Sequence, residues 1–266
     1  MSSHVLQLTS LAGRVVFLPG GYGDIGAGIA RALARAGAHV AVAGRSLDKA
    51  QALARSLAAE GGETAIGLAM DAHDVADIRA ATDRVAQHFG ALDILVNCVG
   101  IQREERLADV TEAAFDEVVQ VNLKSAMFLA QAAARWQVRA VESGRAPGRQ
   151  VHLLSVRSQL GLRDRGYSAY CATKGALVML IRQHAVELSA HGITVNGVAP
   201  TVVRGEMARH WLENPEVHTR VLQRIPLGRV AEPEDVAGPV LFFCSAAAGF
   251  VTGQVLYVDG GLSATQ

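Results

Sequence analysis

A phenol and an ammonium group are spaced to act together in proton transfer. Tyr170 and Lys174 are four residues apart, just before the apolar-periodic run 176–188, and residues four apart share one face of a helix. A free phenol has a pKa of about 10, and a neighbouring cation lowers it by favouring the phenolate. The pair predicts a general acid or base, a role that contributes about 10²- to 10⁴-fold in rate. The alternative is a lysine stem packed on a surface ring.

The elements that must position this pair follow from the alternation of short apolar runs with helical patterns. Such alternation is typical of βαβ units and of a parallel sheet covered by helices on both faces. No polar linker divides the 266 residues, so we expect one doubly wound α/β (Rossmann) domain with a seven-stranded parallel sheet over 1–266. The expected strands are 15–18, 40–42, 65–70, 92–96, 151–154, 193–198 and 255–258.

The helices carry their own boundary signals. Ser46 is a good N-cap for the helix after the second run, and Gly90 is a good end for the helix after the third. One long helix is expected over about 111–141, and the glycines and proline of 143–149 predict a surface loop after it.

A glycine-rich turn follows the first expected strand and opens the first helix. Glycines 21, 23 and 26 fit the pattern G-x-G-x-x-G, in which the backbone approaches a pyrophosphate at a helix N-terminus. The strand–turn–helix context favours dinucleotide binding, and the alternative is a tight turn without a ligand. The candidate cofactor-binding residues here are Gly20, Gly21, Tyr22, Gly23, Asp24 and Ile25.

The end of the second expected strand bears on which cofactor is bound. An NAD site usually has an acidic residue there for the ribose 2′-hydroxyl, but 43–46 reads Ala-Gly-Arg-Ser. Arg45 could instead pair with a 2′-phosphate. The residues therefore predict NADP(H) as the preferred cofactor and NAD(H) as the alternative, unless Arg45 is only an exposed residue at a helix start.

Composition argues against several other classes of protein. The formal net charge is zero, so nothing indicates a nucleic-acid or membrane partner. Half of the residues are hydrophobic and 19% are charged, which suits a large core. The three scattered cysteines form no metal-binding or disulfide pattern. With no signal-peptide pattern and no spanning segment, we expect a cytoplasmic protein without a metal.

Taken in order, these motifs make the chain similar to the short-chain dehydrogenase/reductase family over about 11–262. Asn-Cys-Val-Gly at 97–100 stands where the family usually has Asn-Asn-Ala-Gly. The other matching pieces are the glycine turn, Asp71, Asn122, Ser155, Tyr170 with Lys174, the segment 196–200, and Tyr-Val-Asp-Gly-Gly at 257–261.

The resemblance implies a role for each matching residue. Tyr170 would exchange a proton with the reacting oxygen, and Ser155 would hydrogen-bond that oxygen. Lys174 would lower the pKa of Tyr170 and hold the nicotinamide ribose. Asn122 would fix a bend in its helix and a water that leads protons to Lys174. On the adenosine side, the implied contacts are Asp71 with its neighbour Ala72, and Asn97.

The chain departs from the family pattern in three places. Asp24 replaces a glycine of the turn, and a carboxylate there should repel a pyrophosphate unless it points away, for example as a helix cap. Ser155 lies fifteen residues before Tyr170, against about thirteen in the family, so Ser158 is a rival for its role. Gly205 stands where the family has a threonine that contacts the cofactor, which leaves the backbone of Val203 as a candidate contact.

Substrate should lie beyond the carboxyl ends of the strands, where the loops 99–110, 155–168 and 201–228 converge. The last is a candidate lid. The sequence at 155–175 is similar to family members that oxidise sugar acids such as gluconate, and the loops are rich in arginine. An anionic or polyhydroxy substrate is therefore one expectation, and a solvated rim of paired charges is the alternative. These arginines are residues 103, 106, 157, 163, 165, 204, 209, 220 and 224.

Two functions from different classes remain open on the sequence. The first is an NADP(H)-dependent oxidoreductase that interconverts a ketone and a secondary alcohol of small-molecule size. The second is a dinucleotide-binding sensor or scaffold without turnover. Family members are commonly tetramers, so the resemblance also implies a homotetramer, or a homodimer, with the apolar segment 236–258 packed between subunits.

Overall fold

The structure is a computed structural model that describes residues 7–163 and 165–265, without the side chain of residue 210. Its seven strands form one parallel sheet in the order β3-β2-β1-β4-β5-β6-β7. This is the predicted doubly wound arrangement, and the strand order reverses between β1 and β4. The strands are β1 (Val15–Pro19), β2 (His39–Gly44), β3 (Ala65–Ala69), β4 (Ile94–Asn97), β5 (Arg149–Leu153), β6 (Thr194–Pro200) and β7 (Val255–Val258).

Helices cover both faces of the sheet. Among the described residues they are α1 (Asp24–Arg35), α2 (Leu47–Ala59), α3 (Val75–Phe89), α4 (Glu112–Val119), α5 (Ser125–Glu142), α6 (Ser168–Leu188), α7 (Glu206–Leu212), α8 (Pro215–Gln223) and α9 (Pro233–Cys244). No helix in this described part of the chain is long and apolar enough to cross a membrane.

Strand β1 shows how the two layers of the core are divided. Val16 and Leu18 pack with α1, α2 and α9 on one face, while Val15 and Phe17 pack with α3 and α5 on the other. Every residue of the strand is buried. Because both faces of a parallel sheet are covered, its central strands read as continuous apolar runs, and this is why the strands could be predicted from the sequence.

The predicted helix boundaries are confirmed at two caps. The Ser46 hydroxyl accepts a hydrogen bond from the backbone N–H of Lys49 at the start of α2. Gly90 ends α3 with a φ of 74°, in the left-handed region that glycine adopts without strain. The helix expected over about 111–141 differs, because a π-helical turn, Gln120–Lys124, separates α4 from α5.

Candidate active site

The two hydroxyls expected to meet the substrate oxygen face each other at the carboxyl end of β5. Ser155 follows this strand, and its Oγ accepts the backbone N–H of Arg157 at 3.2 Å. Tyr170 lies in the first turn of α6. Burial raises the pKa of Tyr170 above its ordinary value, and a hydrogen bond from the Ser155 side chain opposes that rise. The raised pKa keeps the phenol of Tyr170 protonated at neutral pH.

Lys174 lies one turn further along α6 and is almost fully buried. Its Nζ is 5.6 Å from the centroid of the Tyr170 ring and donates a 2.8 Å hydrogen bond to the carbonyl of Leu153. Burial lowers the pKa of Lys174 to about 8. The four-residue spacing predicts that this ammonium lowers the pKa of Tyr170. In the structure burial dominates instead, and the charge that lowers the pKa of Tyr170 is that of Arg157.

Asn122 lies in the π-helical turn and is buried. Its Oδ1 accepts the backbone N–H of Ile101 at 2.8 Å, and its Nδ2 donates to the Ile101 carbonyl at 2.9 Å and to Thr173 Oγ1 at 3.2 Å. One amide thus joins the loop after β4 to α6, next to Lys174. A π-helical turn leaves backbone groups unpaired within the helix, and such a turn here fits the bend that the resemblance implied.

The two candidate serines, Ser155 and Ser158, have different hydrogen-bond partners. The Ser158 hydroxyl lies 3.0 Å from the hydroxyl of Tyr257, where it forms a hydrogen bond with β7. Ser155 instead interacts with Tyr170. The geometry therefore favours Ser155 as the serine next to the reacting oxygen.

The glycine turn has the close backbone approach that a dinucleotide site needs. Gly20 has a φ of 73°, and a Cβ there would lie 2.7 Å from the backbone of Cys98. A Cβ on Gly26 would lie 2.7 Å from the backbone of Gly21. At Gly23, the N-cap of α1, the nearest atom to an added Cβ is 3.7 Å away. Only glycine fits at positions 20 and 26, and the lack of a close neighbour at Gly23 leaves room for a pyrophosphate.

Tyr22 joins the glycine turn to the end of β2. Its hydroxyl accepts the backbone N–H of Ser46 at 3.1 Å, and its ring lies where a Cβ on Gly44 would be. The contact places the turn beside Arg45, which is exposed. Ile25, also in the turn, packs against the core on the α1 side.

Asp71 and Ala72 follow β3 at the adenosine side of the site. Asp71 accepts hydrogen bonds from the backbone N–H and the ring of His73, which lower the pKa of its carboxyl group. The positive charge of Arg45 lowers this pKa further, so Arg45 lies near Asp71. Ala72 packs against the core on the α3 side.

The side chain of Asn97 is engaged within the protein. Its Oδ1 accepts the backbone N–H of Val99 at 3.0 Å, and its Nδ2 lies 3.4 Å from Nδ1 of His152. Burial lowers the pKa of His152 to about 3, so this ring is neutral. Because the Asn97 amide is buried and used within the protein, only the backbone of Asn97 remains for a cofactor contact.

Asp24 points away from the glycine turn. Its Oδ2 accepts the backbone N–H of Glu206 at 2.6 Å, at the start of α7. The expectation that it would cap its own helix is wrong, since α1 begins without a side-chain cap. A Cβ on Gly205 would occupy the position of the Asp24 carboxylate. The two departures from the family pattern therefore fit each other.

The backbone beside Val203 is partly used within the protein. Arg204 donates its backbone N–H to the carbonyl of Ala231 at 2.8 Å, and Ala231 donates to Val202 at 3.0 Å. Within the described residues, the backbone N–H of Val203 has no such bond. It thus stays a candidate contact for a cofactor.

The segment 201–228 contains two helices, α7 and α8. Trp211 of α7 stacks on Tyr167, with ring centroids 6.4 Å apart, and Tyr167 meets Tyr170 edge-on at 6.1 Å. Arg165 covers the Trp211 ring and pairs with Glu104 at 2.8 Å. These rings form an aromatic cluster next to the Tyr170 ring. Sequence reasoning missed Tyr167 and Trp211, although Tyr167 lies three residues before Tyr170, one helical turn away.

Comparisons with known proteins find relatives that match nearly the whole chain. The family model described as enoyl-(acyl carrier protein) reductase matches residues 22–263. The chain is 32% identical over 256 residues to 5-keto-D-gluconate 5-reductase of Escherichia coli (strain K12), covering 96% of this chain and 98% of that one. It is 38% identical over 255 residues to L-xylulose reductase of Mesocricetus auratus, covering 96% and 98%.

A solved structure resembles the whole chain. It is a gluconate 5-dehydrogenase from Burkholderia cenocepacia J2315 in complex with NADP and tartrate, with a TM-score of 0.92 at 34% identity, covering 99% of this chain and 100% of that one. The fold and the relatives define an oxidoreductase that acts on CH–OH groups. The chain belongs to the short-chain dehydrogenase/reductase family.

Proposed function

We propose that this protein is an NADP(H)-dependent oxidoreductase that interconverts a ketone and a secondary alcohol, with Tyr170 as general acid and base. The observation that carries the proposal is the meeting of the Ser155 and Tyr170 hydroxyls beside the buried Lys174. In the reduction direction, Tyr170 donates its proton to the substrate oxygen. The Ser155 hydroxyl donates a hydrogen bond to the charge that develops on that oxygen.

The other residues position this pair and return the proton. Lys174 is fixed by the Leu153 carbonyl, and its remaining N–H donors can hold a ribose hydroxyl. Asn122 fixes the Ile101 loop next to Lys174, where a water on the π-helical turn would carry protons between Lys174 and solvent. The nicotinamide supplies the hydride when it is bound.

The preference for NADP(H) over NAD(H) rests on the end of β2. The exposed Arg45 lies beside the Tyr22–Ser46 contact, where a guanidinium can pair with a 2′-phosphate. The turn residues Gly20 to Ile25 would surround the pyrophosphate, and Asp71 and Ala72 would contact the adenine. The backbone of Asn97 would contact the adenine-side ribose, and the backbone of Val203 would replace the cofactor contact that the family's threonine makes. The NADP complex of the Burkholderia relative supports this cofactor.

For the substrate, we propose a sugar acid or a similar polar carbonyl compound. Two relatives are named for gluconate or its keto form. A neutral keto sugar is the second candidate, because the relative at 38% identity is named for L-xylulose. A non-catalytic sensor of the same fold is the alternative from another class, and it would bind dinucleotide without turnover.

The test is a panel of keto sugars and keto acids with NADPH and NADH, followed by absorbance at 340 nm. Tyr170→Phe should lower kcat by about 10³-fold or more while the Kd for NADPH changes little, since the phenol gives up only its proton. Tyr167→Phe serves as the matched control and should stay active. Equal turnover by wild type and Tyr170→Phe would contradict the mechanism, and dinucleotide binding without turnover of any compound would favour the sensor.

We further propose that the protein is a homotetramer, or a homodimer, whose subunits meet partly through 236–258. Three large apolar side chains are exposed in this segment: Phe242, Phe250 and Leu256. Such residues on neighbouring surface are typical of subunit contacts. Light scattering during size exclusion should give a mass that Phe250→Glu reduces, and a wild-type monomer would contradict the proposal.

A further inference from the structure

A buried arginine lies two residues after Ser155. Arg157 is in the short 3₁₀ turn Val156–Ser158, and only 8% of its surface is exposed. Its Nη1 donates to the carbonyls of Leu160 and Gly161, at 3.3 and 2.6 Å. The Nε and Nη2 groups have no acceptor among the residues that the structure describes. The guanidinium is thus fixed on one side and has unused donors on the other.

The surroundings of Arg157 are cationic and lie next to the reacting groups. The field of Arg224, at the end of α8, acts on Arg157, and so do the hydroxyls of Tyr167 and Tyr170. Burial and Arg224 lower the pKa of Arg157. None of the ion pairs between described residues involves Arg157 or Arg224.

Such an arrangement favours the binding of an anion. A guanidinium stays charged in proteins, and a buried charge without a counter-ion is costly. A second guanidinium nearby adds repulsion. A carboxylate relieves both, because it accepts two parallel hydrogen bonds from the planar fork of an arginine.

We propose that Arg157, assisted by Arg224 of the segment 201–228, binds the carboxylate of the substrate and so selects sugar acids over neutral sugars. The inference rests on the oxidoreductase function proposed above and names the residues that set its substrate class. The carboxylate would bind to Arg157 while the reacting carbon lies at Ser155 and Tyr170. Because Arg224 comes from the candidate lid, binding of an anion would also draw that segment towards β5.

The experiment compares two substrates that differ in one group. L-Sorbose carries a hydroxymethyl group where 5-keto-D-gluconate carries its carboxylate, and the two can be reduced with NADPH under the same conditions. Arg157→Gln should lower kcat/KM for 5-keto-D-gluconate by about 10²-fold more than kcat/KM for L-sorbose, as for the loss of a buried charge pair. The loss of its charge beside Tyr170 acts on both substrates and cancels in this ratio. Arg224→Gln should have a smaller effect, about 3- to 10-fold, because Arg224 is exposed.

Two controls separate binding from folding. Arg163→Gln removes an exposed arginine of the same loop and should change neither substrate. Arg157→Lys keeps the charge and should recover part of the activity on the acid. An equal loss on both substrates would show that Arg157 acts only through Tyr170 or through the carbonyls of Leu160 and Gly161. No loss on either substrate would show that the carboxylate binds elsewhere. Both results overturn the inference.

A binding measurement keeps the inference distinct from the proposed function. Calorimetric titration with tartrate, in the presence of NADPH, should show a Kd that Arg157→Gln raises by about 10-fold or more and Arg163→Gln leaves unchanged. If wild type turns over neither compound but shows this pattern, the oxidoreductase proposal fails and the anion site stands. If tartrate binds wild type and Arg157→Gln equally, the anion site fails whatever the activity.

Discussion

The carboxylate of Asp24 accepts a 2.6 Å hydrogen bond from the backbone N–H of Glu206, a residue 182 positions later in the chain. This contact joins the glycine turn at the start of α1 to the first residue of α7. The absence of a side chain at Gly205 makes room for it. The segment 201–228, which we propose as a lid, is therefore attached directly to the turn that we propose to hold the pyrophosphate.

Removing the carboxylate should loosen α7. In Asp24→Ala the Glu206 N–H loses its acceptor, so hydrogen exchange of the α7 amides should be faster by about 10-fold. Asp24→Asn keeps an acceptor oxygen but removes the charge, so it should exchange as the wild type does. Because it removes a negative charge beside the pyrophosphate site, it should also bind NADPH more tightly. Equal exchange in wild type and Asp24→Ala would mean that the contact does not form in solution.

The two serines should respond differently to loss of the hydroxyl. Ser155→Ala should lower kcat by about 10²- to 10³-fold, as for the loss of one donor to a developing oxyanion. It should also move the pH profile of alcohol oxidation to higher pH, because Ser155 lowers the pKa of Tyr170. Ser158→Ala should stay within a few-fold of wild type, since its hydroxyl bonds to Tyr257. If Ser158→Ala lost activity and shifted the pH profile while Ser155→Ala did neither, Ser158 would be the serine next to the reacting oxygen.

Arg45 should set the cofactor preference. Arg45→Ala should raise the KM for NADPH by about 10-fold or more, because a charge-assisted contact with the 2′-phosphate is lost. The KM for NADH should change by less than about 2-fold, since NADH lacks that phosphate. Arg55→Ala removes another exposed arginine, on α2, and is the matched control. An unchanged NADPH/NADH ratio in Arg45→Ala would remove Arg45 from the cofactor site.

Burial of Lys174 should make stability depend on pH. Its pKa is lowered to about 8 from 10.5, so between these values the unfolded chain binds a proton that the folded chain does not. Lys174 should therefore contribute a rise with pH in the free energy of unfolding across this window, measured as the difference between wild type and Lys174→Met. Lys174→Met should remove that rise, and Lys49→Met, which changes an exposed lysine, should keep it. Denaturant titrations from pH 7 to above 10 measure the slopes, and parallel curves for all three proteins would contradict the expected burial.

Much of the fold follows from local sequence. Strands that are buried on both faces appear in the sequence as continuous apolar runs. Capping side chains such as Ser46 bond to backbone groups within four residues. Both signals lie within a few neighbouring residues and can therefore be recognised in the sequence. The π-helical turn has no such signal. The turn coincides with the bonds between Asn122 and the backbone of Ile101, a tertiary contact that helical periodicity does not reveal. Periodicity alone therefore predicted one unbroken helix.

The site was predictable where types and spacing carry the chemistry, as for Tyr170 and Lys174. The site was not predictable where burial sets the pKa or the exposure of a side chain, because the spacing of residues does not show which side chains are buried. The pKa of Tyr170 is raised for this reason, and Arg157 could not be told from the exposed arginines of the same loops. The hydrogen bond between Asp24 and Glu206 was not predictable either, since nothing in the sequence near position 24 indicates this contact.

The fit of the Tyr22 ring against Gly44 has an evolutionary consequence. A side chain at 44 would overlap the ring, so the two positions cannot vary independently. Relatives that carry alanine or a larger residue at the position of Gly44 should carry a small residue at that of Tyr22. Such covariation between the two positions would show that the glycine turn and the end of β2 have evolved together in the family.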